Sequence, residues 1–180
     1  MESTPQEDTL HPRHDTSYRF LLSSKKLFVE LLRSFITRGW VQDVEEEQVE
    51  EIPHTFILQD FKRQEADLVY RVKLKGRDVI FYLLLELQSS VDYRMPYRLL
   101  LYQVEIWRYL LHHNDELATN RKTFQLPAIV PIVLYNGKRK WRAKRQFREL
   151  LAGEALFDSE LLNFEYLLID VVRYGIDDPT

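Results

Sequence analysis

The stretch from Ala66 to Gln88 constrains the fold more than any other part of the sequence. It contains "RVKLKGRDVIF", in which Lys75-Gly76-Arg77-Asp78 interrupts two strand-like runs. Glycine supplies the positive φ that tight turns need, and Gly/Asp pairs favour reversal of the chain. The pattern therefore predicts an antiparallel hairpin of Ala66–Leu74 and Val79–Gln88.

The position of the turn predicts which residues of the two strands lie opposite each other. A turn centred between Gly76 and Arg77 pairs Asp67 with Glu86. Strand alternation then collects only apolar side chains on one face and every charge of the strand interiors on the other. Asp67, Glu86 and Gln88 fall together on the second face, at the open end of the hairpin.

Two opposed carboxylates at this place require an explanation. Directly opposed residues have Cβ atoms about 4.5–5.5 Å apart, and like charges at that distance destabilise a sheet. Such carboxylates share a proton, pair with a base or bind a cation. An oxygen-only donor set suits Mg²⁺ or Mn²⁺. The alternative is a pair of surface carboxylates bridged by Arg63, Arg71 or Lys73, and spacing alone leaves both readings open.

The remaining pattern predicts helices on either side of a mixed sheet. Residues 1–13 are polar and suggest a disordered tail, and Asp15 is a candidate N-cap for a first helix. The further predicted elements are a helix from Ser24 to Arg38, a strand from Thr55 to Leu58, a helix from Tyr97 to His112, a strand from Leu126 to Gly137 with an edge or irregular start, a short helix from Arg145 to Leu151 and a strand from Phe164 to Val171. This order predicts an α/β sandwich rather than a doubly wound sheet.

Charge is distributed unevenly along the chain. The net charge is −3, yet Lys138–Arg148 holds seven basic residues and no acid. Lys138, Arg139, Lys140 and Arg142 are therefore candidate phosphate contacts, with a solvated basic helix face as the alternative. Trp141 within this segment either stacks on a base or, more commonly for a lone Trp, anchors a loop. Val41–Glu51 holds six acids and no base, and Glu45–Glu51 within it is expected to be a solvated segment, with masking of the site as the alternative.

The helix after the hairpin carries a second group of candidates. Arg98, Tyr102 and Glu105 share one helical face, so Arg98 and Tyr102 are candidate phosphate contacts, with an intrahelical Arg–Glu network as the alternative. The opposite stripe of Leu99, Leu100, Val104, Trp107 and Leu111 is expected to be core. The histidines at positions 54, 112 and 113 lack metal-like spacing and are expected at the surface.

The chain has no cysteine, no secretory h-region and no apolar run of membrane-spanning length. We therefore expect a soluble protein of the cytoplasm.

Four blocks in order, "HDTSYRFLL", "ADLVYRV", "LLLELQSSVDYRMPYRLLLY" and "PAIVPIVLYNG", carry a family resemblance. They resemble the PD-(D/E)XK-type recombination-promoting nucleases, also described as YhgA-like putative transposases. The resemblance implies a restriction-endonuclease-like core (αβββαβ) over residues 14–180, as the N-terminal part of a longer protein. It also implies Mg²⁺-dependent (or Mn²⁺-dependent) endonuclease activity on double-stranded DNA, linked to recombination or mobile elements, and a homo-oligomer at full length.

Carried over by residue, the resemblance makes Asp67 and Glu86 the metal ligands and Gln88 the third catalytic residue. The wider superfamily more often has Lys at that third position. Asp15 is a possible accessory ligand. Two other functions stay open at this point: a catalytically inactive nuclease fold that binds DNA or protein, and a nuclease that acts on RNA.

Overall fold

A computed structural model of the chain describes residues 20–53, 67–86, 91–114, 122–157 and 159–173. Its longer helices are α1 (Lys25–Phe35) and α2 (Met95–His113), and short 3-10 helices lie at Gly39–Asp43, Glu46–Gln48, Phe147–Leu150 and Glu154–Leu156. Its strands are β1 (Val49–Glu51), β2 (Leu68–Leu74), β3 (Arg77–Glu86), β4 (Ala128–Tyr135) and β5 (Leu167–Asp170).

The five strands form one mixed sheet in the order β1-β2-β3-β4-β5. The pairs β1–β2 and β2–β3 are antiparallel, whereas the pairs β3–β4 and β4–β5 are parallel. Helix α2 connects β3 to β4, as a parallel connection requires. The predicted mixed sheet flanked by helices is confirmed at this level.

The hairpin is confirmed, but the predicted register is wrong by two residues. Lys75 and Gly76 both have positive φ, 49° and 77°, so they form a two-residue turn of the I′ kind. Leu74 therefore pairs with Arg77, and Leu68 pairs with Leu83. Continuing this register brings Asp67 level with Leu84 rather than with Glu86. The cause is local, because a two-residue turn with positive φ at both positions matches the twist of the strands.

The two faces of the hairpin are divided as predicted, because a shift of two residues preserves strand alternation. One face carries Tyr70, Phe81 and Leu83, which pack against Phe28 and Leu32 of α1. The other face carries Val69, Tyr82 and Leu84, which pack against α2. Helices thus cover both faces, which explains why β3 is apolar along most of its length.

The acidic segment is only partly solvated, which corrects its interpretation. Val49–Glu51 forms the edge strand β1, and Val49 pairs with Val72 and is 1% exposed. The predicted strand Thr55–Leu58 lies outside the described residues, as do Asp15, His54 and Gln88.

Several predicted boundaries change. Helix α1 ends at Phe35 rather than Arg38, because Ile36 already has an extended backbone. The predicted helix Arg145–Leu151 is only a 3-10 turn at Phe147–Leu150. The edge-like start of the Leu126–Gly137 strand is confirmed, since β5 joins β4 only from Ile132, just after Pro131.

Within the described part of the chain, neither helix combines the length and the apolar character needed to cross a bilayer.

Candidate functional site

The candidate carboxylates lie at one edge of the sheet, here called the carboxyl edge. It is formed by the ends of β3, β4 and β5, where Glu86, Tyr135 and Asp170 pair in one row of backbone register. Because β2 is antiparallel to β3, Asp67 lies at this same edge, just before β2 begins. Open α/β sheets bind ligands outside the carboxyl ends of their parallel strands.

Asp67 is a buried acid, only 3% exposed. Its Oδ2 accepts a hydrogen bond of 2.6 Å from the Tyr82 hydroxyl. A buried carboxylate costs free energy unless it is hydrogen-bonded, and a charge-assisted hydrogen bond is among the stronger compensations. The alternative reading of Asp67 as a surface carboxylate is therefore wrong, and Arg71 pairs with Glu50 at 3.4 Å instead.

Two tyrosines connect Asp67 to α2 through a series of polar side-chain contacts. The rings of Tyr82 and Tyr102 lie 4.9 Å apart, and both side chains are buried. Burial, followed by the negative charge of Asp67, raises the pKa of Tyr82 well above its ordinary value. Burial and then Asp67 also raise the pKa of Tyr102 to about 12, against a lowering by Arg98. Both hydroxyls therefore keep their protons at neutral pH.

Arg98 is the last residue in this series of polar contacts and lies in the first turn of α2. Its Nη1 lies 3.0 Å from Asp92 Oδ2, and its side chain is 13% exposed. The other oxygen of Asp92 accepts a hydrogen bond from the Arg94 backbone at 2.9 Å. Asp92 therefore fixes the start of the helix and the guanidinium together. Glu105 pairs with Arg108 rather than with Arg98. The phosphate contacts expected of Arg98 and Tyr102 stay predictions.

The predicted core stripe of this helix is wrong in part. Leu99 is buried as expected, but Val104 is 47% exposed, while Tyr102 and Gln103 are buried. Tyr102 can be buried because Asp67, Tyr82 and Arg98 supply it with polar neighbours on that side. Sequence reasoning missed Tyr82 and Asp92. The signal for Tyr82 was a single hydroxyl in an apolar strand, on the same face as Asp67. The signal for Asp92 was an acid three residues before the first residue of the helix.

The basic segment is a fixed loop rather than the helix face considered as an alternative. Trp141 is 8% exposed and donates from Nε1 to the Tyr166 hydroxyl at 2.8 Å. Tyr166 in turn donates to the Lys144 carbonyl at 2.9 Å, and Tyr135 donates to the Arg139 carbonyl at 2.8 Å. Trp141 is therefore an anchor of the loop, which confirms the commoner of its two readings.

Arg173 fixes the beginning of the same loop. It donates to the Lys138 carbonyl at 2.7 Å and pairs with Asp170 at 3.0 Å, which ties the loop to the end of β5. Arg145 donates to the Tyr166 carbonyl at 2.6 Å, and Arg148 pairs with Glu154 at 2.9 Å.

The four basic residues predicted to contact phosphate are placed differently from these structural arginines. All four are exposed and form no ion pair with any residue that the structure describes: Lys138, Arg139, Lys140 and Arg142. The loop therefore offers positive charge at the carboxyl edge, from a backbone that several side chains hold in place.

A metal ion would have to be held by few protein ligands here. In the described residues, no group of three His, Asp or Glu side chains is arranged to hold one. Asp67 offers a hard oxygen donor of the type that Mg²⁺ takes. The side chain of Glu86 and all of Gln88 lie outside the description, so their part in a metal site stays a prediction. His112 and His113 are exposed, as expected.

A separate cavity lies elsewhere in the molecule. It has a volume of about 640 Å³ and is lined by residues that include Arg77, Asp78 and Ala128, at the opposite edge of the sheet. The candidate site is therefore a surface at the ends of strands, separate from this cavity.

Comparisons with known proteins agree with the resemblance. The chain is 26% identical over 85 residues to "Recombination-promoting nuclease RpnD" of Escherichia coli O157:H7, which covers 47% of this chain and 30% of that protein. It is 28% identical over 84 residues to "Recombination-promoting nuclease RpnC" of Escherichia coli (strain K12), which covers 47% of this chain and 25% of that protein. The matched part thus spans less than a third of either relative. No solved structure matches the chain.

The family model described as "Putative transposase, YhgA-like" matches residues 12–179, which include every described strand and helix. The chain therefore belongs to the family of YhgA-like putative transposases.

Proposed function

We propose that this chain is a metal-dependent DNA endonuclease that acts in recombination or in the movement of mobile elements, built on a restriction-endonuclease-like core. One observation carries the proposal most directly: a buried acid, Asp67, sits at the carboxyl edge where the strand bearing Glu86 ends. Membership of the family and the names of two curated relatives support the coarser part of this proposal, a nuclease linked to recombination or transposition.

Asp67 and Glu86 are the proposed ligands of Mg²⁺ or Mn²⁺. The corrected register offsets the two positions by one two-residue repeat of the strand. In antiparallel sheets such diagonal neighbours on one face are about 7–8 Å apart, which two carboxylates and an ion between them can span. When bound, the metal would polarise the scissile phosphate and lower the pKa of a water molecule.

The protein's own groups have separate tasks in this proposal. Tyr82 holds Oδ2 of Asp67, so the carboxylate is oriented before any ligand arrives. Gln88 orients the attacking water through its amide, where the wider superfamily more often has a lysine charge. Lys138, Arg139, Lys140 and Arg142 bind phosphates of the DNA, because they are exposed and their loop is held in place.

Plasmid cleavage by variants of the two acids tests this function. Asp67→Asn removes the charge of the ligand but keeps an oxygen that can accept from Tyr82. We expect Asp67→Asn and Glu86→Gln each to slow cleavage with Mg²⁺ or Mn²⁺ by at least about 100-fold. Glu51→Gln, at an exposed acid of β1, is the matched control and should cut at the wild-type rate. Circular dichroism and thermal unfolding should show that all three variants fold.

Cleavage at the wild-type rate by both Asp67→Asn and Glu86→Gln would remove the two acids from the mechanism. Cleavage at the same rate in EDTA as in Mg²⁺ would show that the reaction does not need a metal ion. A wild-type chain that neither cuts DNA nor binds Mg²⁺ in calorimetry would instead be an inactive nuclease fold, the alternative function considered above.

A further inference from the structure

A groove beside the carboxyl edge combines cations already proposed to bind DNA phosphates with an aromatic ring that the proposed cleavage reaction does not use. It has a volume of about 410 Å³ and is lined by Val91, Tyr93, Arg139, Lys140 and Arg142. We call it the basic groove. One wall precedes α2, in the connection from β3, and the other belongs to the loop that follows β4. Since β3 and β4 are parallel, both walls start from the same edge of the sheet.

The residues that line the basic groove carry three positive charges and no negative charge. Its three cations are exposed and form no ion pair with a described residue. The nearest acid along the chain, Asp92, is already paired with Arg98 at 3.0 Å and lies 4.0 Å from Arg94. Arg94 adds a further exposed cation beside Tyr93. A polyanion can therefore bind here without competing with an existing ion pair in the groove.

Tyr93 differs from the other tyrosines at this edge. Tyr82, Tyr102, Tyr135 and Tyr166 are fully buried, whereas Tyr93 is 63% exposed in the wall of a positive groove. An exposed aromatic ring among cations is the combination by which proteins hold single-stranded nucleic acid, since every base can stack on such a ring. In a duplex the bases already stack on one another, so their faces are not available to the ring.

We propose that the basic groove binds an unpaired segment of a DNA strand, with a base stacked on Tyr93 and its phosphates on Arg139, Lys140 and Arg142. The proposal rests on the proposed function and narrows its substrate class. The preferred substrate is double-stranded DNA with an unpaired stretch next to the cut, rather than an uninterrupted duplex. The anchored backbone of the loop supports this, because less backbone entropy is lost on binding when the loop is already held in place.

Binding can be measured apart from cleavage, in EDTA, by fluorescence anisotropy of labelled DNA. The probes are a single strand, the matching duplex and the same duplex with an unpaired tail. We expect Tyr93→Ala to weaken binding of the single strand and the tailed duplex by about 5- to 150-fold. Binding of the plain duplex should change by less than about twofold, and Tyr93→Phe should retain wild-type affinity because the ring is kept.

Two matched controls, Tyr97→Ala and Lys26→Ala, separate the effects of stacking and of charge from general effects of mutation. Tyr97→Ala changes a tyrosine that is 52% exposed near the same end of α2 but does not line the groove, so it should bind all three probes normally. Lys140→Ala should weaken binding of every probe and make its salt dependence shallower, by about 0.7 in the logarithmic slope for the single strand. Lys26→Ala, at an exposed lysine of α1, should leave that slope unchanged.

The inference is overturned if Tyr93→Ala binds the single strand as the wild type does, or if it weakens the plain duplex equally. It also fails if an RNA strand of the same sequence binds more tightly than the DNA, or if no probe binds. Its failure is distinct from that of the proposed function. Tyr93-dependent binding without metal-dependent cleavage would reject only the nuclease, and cleavage with no effect of Tyr93 would reject only the groove.

Discussion

On the α1 side of the sheet, Phe28 stacks on Tyr70 at 4.2 Å and meets the edge of Phe81 at 5.9 Å. The α2 side is equally buried, but Tyr82 there donates to the carboxylate of Asp67. On the first side, the Tyr70 hydroxyl donates to the Leu22 carbonyl and so links the sheet to the backbone before α1. The comparison indicates that the α1 side mainly stabilises the fold, whereas the α2 side carries the polar groups that a site needs.

The largest expected effect tests the α1 side. Phe81→Ala should lower the free energy of unfolding by about 3–5 kcal/mol, because it leaves a cavity among Phe28, Trp40 and the neighbouring strand residues. Urea denaturation followed by circular dichroism measures the loss. Phe124→Ala, at a ring that is 47% exposed, should cost far less. Equal losses for the two variants would show that the α1 side is not the main source of stability.

A smaller effect tests the α2 side. Tyr82→Phe should lower the free energy of unfolding by about 1.5–3 kcal/mol, because a buried carboxylate loses a charge-assisted hydrogen bond. In the Asp67→Asn background the same change should cost only about 0.5–1.5 kcal/mol, the usual contribution of a neutral hydrogen bond. Urea denaturation of the four proteins gives the coupling energy. If it is zero, the hydroxyl does not act through the carboxylate.

The smallest effect tests the loop that closes the α2 side at the carboxyl edge. A Cβ on Gly137 would lie 2.1 Å from the Tyr135 hydroxyl oxygen, while one on Gly39 would meet nothing within 4 Å. The Tyr135 side chain is buried and its hydroxyl donates a hydrogen bond to the Arg139 carbonyl, so it cannot move aside freely. Gly137→Ala should therefore cost about 1–3 kcal/mol, as overpacking usually does.

The control is Gly39→Ala, which should cost less than Gly137→Ala in the same urea titration. Gly137→Ala should also weaken DNA binding in EDTA, because the cations after Gly137 would be displaced with the loop. A variant that loses neither stability nor affinity would mean that the loop is not held by the contact between Tyr135 and Arg139.

Much of the fold could be predicted from the pattern of residues. The apolar run of β3 and the alternation of β2 were enough to predict the hairpin and its two faces, and the predicted helix Tyr97–His112 lies within α2. The candidate acid Asp67 was also predicted from sequence, because it is an acid at a strand end. The four exposed cations were predicted because they lie in a basic run without acids. The site was harder to predict from sequence. Tyr82 and Tyr166 act through contacts with residues that are far from them in the chain, and Asp92 acts through the turn that precedes α2.

The sequence by itself determined which side chains share a face, because strand alternation has a period of two and is written directly in the residues. It could not determine the register, since any shift by an even number of residues leaves both faces unchanged. Only the folded turn decided that question, when Lys75 and Gly76 both adopted positive φ and moved Asp67 level with Leu84. Tertiary packing likewise decided that Tyr102 is buried and Tyr93 is not, because hydroxyls are buried only where a partner meets them.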